Sequence, residues 1–122
     1  MARILVVDDS PTEMFRFKEI LNKNGYTVLE ATNGADGVTV AQAEQPDLVL
    51  MDVVMPGVNG FQATRQIARG EKTKHIPIVI VSTKDQATDR VWGNRQGASD
   101  YLTKPVDENK LIEVIRQYIN AG

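Results

Sequence analysis

The chain has 122 residues, 42% of them hydrophobic and 25% charged, with a formal net charge of -2 and no cysteine. That is the size and make-up of one folded domain. The small net charge gives no reason to expect a nucleic acid or a membrane surface as partner, and the lack of cysteine excludes disulfides, thiolate metal sites and a thiol nucleophile.

The elements alternate along the whole chain. Residues 3–8 read as a strand, Ile4-Leu5-Val6-Val7 running into Asp8-Asp9. Ser10 then suits a helix N-cap, with Pro11 at N1 and Glu13 at N3. Met14, Phe17, Ile20 and Leu21 recur at helical spacing until Asn24-Gly25 stops the helix. Of Met14, Phe15 and Phe17, most are expected in the core. Tyr26 to Ala31 is a second strand, and Asn33 to Ala43 a second helix with Val38 and Ala41 inward. Leu48-Val49-Leu50-Met51 forms a third strand ending in Asp52. Residues 59–69 give a third helix, and Gly70 to His75 a polar loop in which Lys72-Thr73-Lys74 are expected to be solvated. Ile78 to Val81 is a fourth strand, followed by Ser82. Residues 85–96 give a fourth helix closed by Gly97, residues 99–102 a fifth strand leading to Thr103-Lys104-Pro105, and Val106 to Ile119 a fifth helix with Leu111, Ile112 and Ile115 inward.

Short apolar runs of this kind read as buried parallel strands. Five of them alternating with five helices predict an α/β doubly wound sheet. No repeat or linker divides the chain, so residues 1–122 are expected to form one domain with no effector domain. No signal pattern precedes the first strand, and no apolar stretch approaches the ~18 residues of a membrane span. The expected location is cytoplasmic. No G-x-x-x-x-G-K-[ST] follows a strand, and the glycines at 34 and 37 do not complete a G-x-G-x-x-G, so nucleotide binding has no support.

In an open parallel sheet, ligands bind beyond the carboxyl ends of the strands. The strand-end residues Asp8, Asp9, Asp52, Ser82 and Lys104 are therefore expected at one edge. Two carboxylates about 4 Å apart repel by roughly 4 kcal/mol at an effective dielectric near 20. A hard divalent cation relieves that repulsion, and Mg²⁺ needs only one or two protein carboxylates besides its waters. The lone His75, in a loop, has no partner in view and gives no zinc site. A carboxylate in such a site can act as a nucleophile and form an aspartyl phosphate. Asp52, central and alone, is the candidate nucleophile. Asp8 and Asp9 are the candidate metal pair, and Lys104 and Ser82 are candidate donors to phosphoryl oxygens.

Asp8-Asp9, Asp52 within Met51-Asp52-Val53-Val54-Met55-Pro56-Gly57, Ser82 and Lys104-Pro105 together resemble the receiver domain of two-component response regulators. The resemblance spans the whole chain. It implies a flavodoxin-like sheet in the order 2-1-3-4-5 and phosphotransfer from a histidine kinase, of the CheA type, to Asp52. It further implies Mg²⁺ held with the help of the Val54 backbone carbonyl, and a cis Lys104-Pro105 bond. It implies a switch in which Ser82 moves toward the phosphoryl group and Tyr101 rotates inward, changing a surface on the fourth helix, fifth strand and fifth helix. In the same family Val54, Thr83 and Lys84 occupy positions that tune access to the phosphate and its loss to water. The stretches 9–13, 60–66, 91–98 and 100–106 are similar to the stand-alone receivers of type IV pilus chemosensory systems, which implies a role in twitching motility and an output protein of the pilus machinery. A monomer is expected.

Plainer readings stand beside these. Ser82 can be a turn former, Tyr101 a half-buried strand residue, and Trp92 either a helix-surface residue or an exposed anchor for a partner. Three functions compete: a phosphorylation-controlled binding module, which either drives an output or drains phosphate from a shared kinase; an aspartyl-phosphate phosphohydrolase; and an inactive scaffold. Phosphohydrolases resembling haloacid dehalogenases carry Asp-x-Asp and a cap domain, whereas this chain has Asp8-Asp9 and nothing left for a cap. The chain is expected to be a phospho-acceptor with slow autodephosphorylation rather than an enzyme.

Overall fold

A computed structural model describes residues 2–54, 59–83 and 86–119. Met55-Pro56-Gly57 and Lys84, named above, lie outside the described residues. The order is β1 (Arg3–Val7), α1 (Pro11–Lys23), β2 (Thr27–Ala31), α2 (Gly34–Glu44), β3 (Leu48–Met51), α3 (Gly60–Arg69), β4 (Ile78–Ser82), α4 (Ala87–Arg95), β5 (Asp100–Thr103) and α5 (Glu108–Tyr118). All strand pairs are parallel, and the sheet order is β2-β1-β3-β4-β5. Strands β1 and β3 end with their apolar runs, at Val7 and Met51, one residue short of the expected ends at Asp8 and Asp52, which leaves both carboxylates just beyond the ladder.

Alternation along each strand divides the core, because successive side chains point to opposite faces. Ile4, Val6, Leu48, Leu50, Val79 and Val81 face one side and pack with Met14, Phe17, Ile20 and Leu21 of α1 and Leu111, Ile112, Val114 and Ile115 of α5. Leu5, Val7, Val49, Met51 and Ile78 face the other side and meet Val38 and Ala41 of α2 and Ala63 and Ile67 of α3. A smaller cluster of Val53, Ile80, Ala98 and Tyr101 is flanked by Phe61. Met14 and Phe17 are core residues, while Phe15 is exposed. Helix α1 stops as expected at a left-handed glycine, Gly25, with φ of 87°; Gly97, after α4, has φ of 104°. These conformations suit glycine because it has no Cβ.

The polar loop differs from expectation at Thr73. Its hydroxyl is buried and donates to the Ile67 carbonyl at 2.6 Å, closing the end of α3. Lys72, Lys74 and His75 are exposed, as expected. The N-terminus of α1 also differs. Ser10 Oγ accepts from the Glu13 backbone N–H at 3.3 Å, but the Ser10 N–H donates to Asp8 Oδ1 at 2.9 Å. The Glu13 side chain is thereby left for another partner.

Candidate functional site

The two strands that flank the reversal of sheet order, β1 and β3, deliver Asp8 and Asp52 to the crevice where such sheets bind ligands. The Asp52 backbone N–H donates to the Val7 carbonyl at 3.0 Å, which docks the end of β3 on β1. The Lys104 N–H donates to the Ser82 carbonyl at 2.8 Å and ties the end of β5 to that of β4. Four strand ends are thus joined in two pairs by backbone bonds, and the crevice inherits the rigidity of the sheet. The Lys104-Pro105 bond is cis, as the resemblance implies.

Asp8, Asp52 and Ser82 are buried, and Asp9 is exposed. Asp8, Asp9 and Asp52 each offer a carboxylate oxygen, and these oxygens lie within 4.8 Å of one another. Asp8 is held at both oxygens: Oδ1 accepts from the Ser10 N–H, and Oδ2 accepts from Lys104 Nζ at 2.8 Å. Lys104 Nζ also lies 3.7 Å from Glu13 Oε1 and 3.9 Å from Asp52 Oδ2. Asp52 Oδ1 accepts from the Val54 N–H at 3.2 Å.

The electrostatics follow from this geometry. Burial pushes the Asp52 carboxyl up to about 6, against the opposing pull of Lys104 and of the Val54 N–H, with Asp8 and Asp9 adding to the rise. Burial opposes the Lys104 ammonium too. Its hydrogen bond to Asp8 and the charges of Asp52, Asp8 and Glu13 outweigh that and raise its pKa. The site gathers four carboxylates, those of Asp8, Asp9, Asp52 and Glu13, around one ammonium, so it has anionic charge to spare for a hard cation with oxygen ligands. The oxygen-only donor set suits Mg²⁺ and does not suit zinc, which favours nitrogen and sulfur.

Asp8, Asp9, Asp52 and Lys104 therefore converge, Ser82 is tied to Lys104 through its backbone carbonyl, and sequence reasoning missed one neighbour. Glu13 was legible only as a helix N3 residue, and its approach to Lys104 needs the folded sheet. Tyr101, expected to turn inward on phosphorylation, is buried, and Trp92 is half exposed on α4.

A family model for the response regulator receiver domain matches residues 4–116. The chain belongs to the response regulator receiver family. It is 64% identical over 115 residues to protein PilH of Pseudomonas aeruginosa, a match that covers 94% of this chain and 95% of that protein. It is 39% identical to the response regulator PleD of Caulobacter vibrioides over 94% of this chain, but only 25% of that longer protein. Among solved structures, the chemotaxis protein CheY4 of Vibrio cholerae superposes with a TM-score of 0.92 at 28% identity, covering 98% of this chain and 99% of that one. The receiver domain of a Pseudomonas aeruginosa sensor histidine kinase superposes with a TM-score of 0.91 at 29% identity, with 98% of each chain covered. That domain has a magnesium ion coordinated in its active-site cleft. Among the described residues of the present receiver, no helix is long and apolar enough to cross a membrane.

Proposed function

We propose that this receiver is a stand-alone phospho-acceptor that takes a phosphoryl group on Asp52 from the phosphohistidine of a CheA-type histidine kinase. The observation that carries this reading is the buried Asp52 carboxylate at the end of a central strand, with Lys104 Nζ 3.9 Å away and Asp8 and Asp9 beside it. An Asp52 oxygen attacks phosphorus, the P–N bond breaks, and its electron pair returns to the imidazole. Asp8, Asp9 and Asp52, with the Val54 backbone carbonyl, would hold Mg²⁺, which when bound supplies positive charge for the phosphoryl oxygens. Lys104 supplies a further point charge to a phosphoryl oxygen, and the Ser82 hydroxyl a neutral hydrogen bond. The Val54 N–H, already on Asp52 Oδ1, holds the acceptor carboxylate in orientation.

The phosphoryl group adds nearly two negative charges at a site that already holds four carboxylates. Ser82 and Tyr101 then pass its arrival to the surface of α4, β5 and α5, where an output protein reads it. The similarity to PilH supports a role in type IV pilus twitching motility, with the protein working in the cytoplasm. Slow attack of water at phosphorus returns Asp52 and inorganic phosphate, which resets the acceptor without making the chain a multiple-turnover enzyme.

Acetyl phosphate with Mg²⁺ tests the chemistry. The expected product is one phosphate per chain, absent in Asp52→Ala. Sustained turnover of phosphate esters would instead mark a phosphohydrolase, and no adduct an inactive scaffold. Phosphotransfer from a candidate kinase, followed by the lifetime of the adduct, separates an output regulator with a long lifetime from a phosphate sink with a short one.

A further inference from the structure

Tyr101 is buried, and one side chain of α4 holds both its ring and its strand. The Arg90 guanidinium lies 5.1 Å from the centre of the Tyr101 ring. The same group donates from Nη1 to the Tyr101 carbonyl at 3.1 Å and from Nη2 to Thr103 Oγ1 at 2.9 Å. Tyr101 and Thr103 are two apart on β5, so their side chains share a face and one planar fork can span both. Strand β5 is the edge of the sheet, where carbonyls lack a further strand to bond. Arg90 therefore fills an edge acceptor and covers the ring at the same time.

The ring is also accommodated by a missing atom. A Cβ at Gly93 of α4 would stand 2.8 Å from Ile80 Cδ1 and 3.3 Å from Tyr101 Cδ2. Without it the helix lies close to the ring, and Arg90, three residues before Gly93, projects from the same side of α4. Val53, Ile80 and Ala98 pack with Tyr101 in the same cluster.

We propose that Arg90 is a latch that holds Tyr101 in its buried position before phosphorylation, so that in this chain the α4–β5 surface is set in advance by Arg90. Arg90 touches neither the acceptor nor the metal carboxylates among the contacts described, and it acts through Tyr101 as a positioning residue. The proposal rests on the reading of Tyr101 as the switch residue. Its consequence is a small conformational response to phosphorylation. A binding-competent state that is already populated also imposes no penalty on a ligand that selects it.

The test uses the full chain labelled with 3-fluorotyrosine, the Tyr101 signal being assigned from Tyr101→Phe. In the metal-free, phosphate-free protein the Tyr101 ring is expected to be protected from a paramagnetic solvent probe, and Mg²⁺ with beryllofluoride should change it little. In Arg90→Ala the exposed population should rise about tenfold, in line with loss of a cation–π contact and two hydrogen bonds. Beryllofluoride with Mg²⁺ should restore protection there, with an apparent affinity weaker in proportion to the lost buried population. Thr103→Val, which removes one prong of the fork, should give an intermediate exposure. A wild-type ring open to the probe before beryllofluoride is added, or an Arg90→Ala ring as protected as the wild type, would overturn the latch. Phosphorylation of Asp52 by acetyl phosphate is measured separately: its failure would remove the proposed function, whereas the position of the ring in the unphosphorylated chain is read without it.

Discussion

Lys104 Nζ is bound to Asp8 Oδ2 at 2.8 Å and stands 3.9 Å from Asp52 Oδ2, so the ammonium rests on the carboxylate beside the acceptor rather than on the acceptor itself. Asp8 Oδ1 is engaged by the Ser10 N–H. Asp8 is therefore fixed at both oxygens, while Asp52 keeps Oδ2 for a lesser contact. The carboxylate proposed to hold a cation is rigid, and the carboxylate proposed to react is the freer of the two.

This arrangement predicts opposite effects of Lys104→Met on the two halves of the site. Removing the ammonium takes away a charge that opposes a cation at Asp8, so Mg²⁺ should bind several-fold more tightly by calorimetry. Phosphorylation by acetyl phosphate at saturating Mg²⁺ should fall by about 10²–10³, the usual loss when one donor to developing charge is removed. A parallel loss of both would show that Lys104 organises the pocket rather than serving the phosphoryl group.

The raised pKa of Asp52, about 6 against 3.8, makes stability depend on pH with a definite sign. Between those values the unfolded chain has released a proton that the native chain retains, so native stability falls as pH rises through this window. Asp52→Asn removes the titration. In metal-free buffer the variant should melt higher than the parent at pH 7.5, and this gain should shrink as pH falls from 6 to 4. Mg²⁺ should narrow the gap by stabilising the parent. A difference in melting temperature that ignores pH would refute the assignment.

Gly60 opens α3 directly against the backbone that follows β3. A Cβ there would clash with the Asp52 carbonyl oxygen and stand 2.5 Å from Val53 Cα, both backbone atoms that cannot swing aside. Gly60→Ala should destabilise the fold at or above the roughly 1–3 kcal/mol of ordinary overpacking. Phosphorylation should fall with it, because the displaced backbone carries Asp52. Urea melts and adduct formation on the same sample would check both.

Thr73→Val removes the hydroxyl that satisfies the Ile67 carbonyl at the end of α3. The expected cost is about 1–3 kcal/mol from an unpaired buried acceptor. Phosphorylation kinetics should be unchanged, since the loop lies at the other end of α3 from Asp52.

Val54 is half exposed beside the acceptor and has no group that can orient water. Val54→Asn should shorten the lifetime of the phosphorylated chain, measured by loss of the adduct after the donor is removed. An unchanged lifetime would remove Val54 from the control of hydrolysis.

The amino-acid sequence by itself determined the sheet, its helices and the membership of the charged edge. Those signals are local: an apolar run, a charge where the run stops, a cap where the helix starts. Strand-end position carried Asp8, Asp52, Ser82 and Lys104 to one crevice because a parallel sheet gathers all its carboxyl ends at the same edge. Only the tertiary structure decided which partners these residues take. Glu13 reads as a helix N3 residue, and its carboxylate turns to Lys104 because Asp8 occupies the Ser10 N–H that a capping box would use. Thr73 reads as a solvated loop residue, and it is buried because the loop folds back on the end of α3. Arg90 carries no local signal, and its grip on Tyr101 exists because β5 is the sheet edge and Gly93 brings α4 close. Each of these depends on how far apart the elements settle and which backbone groups remain unpaired, quantities that no local pattern of residues encodes.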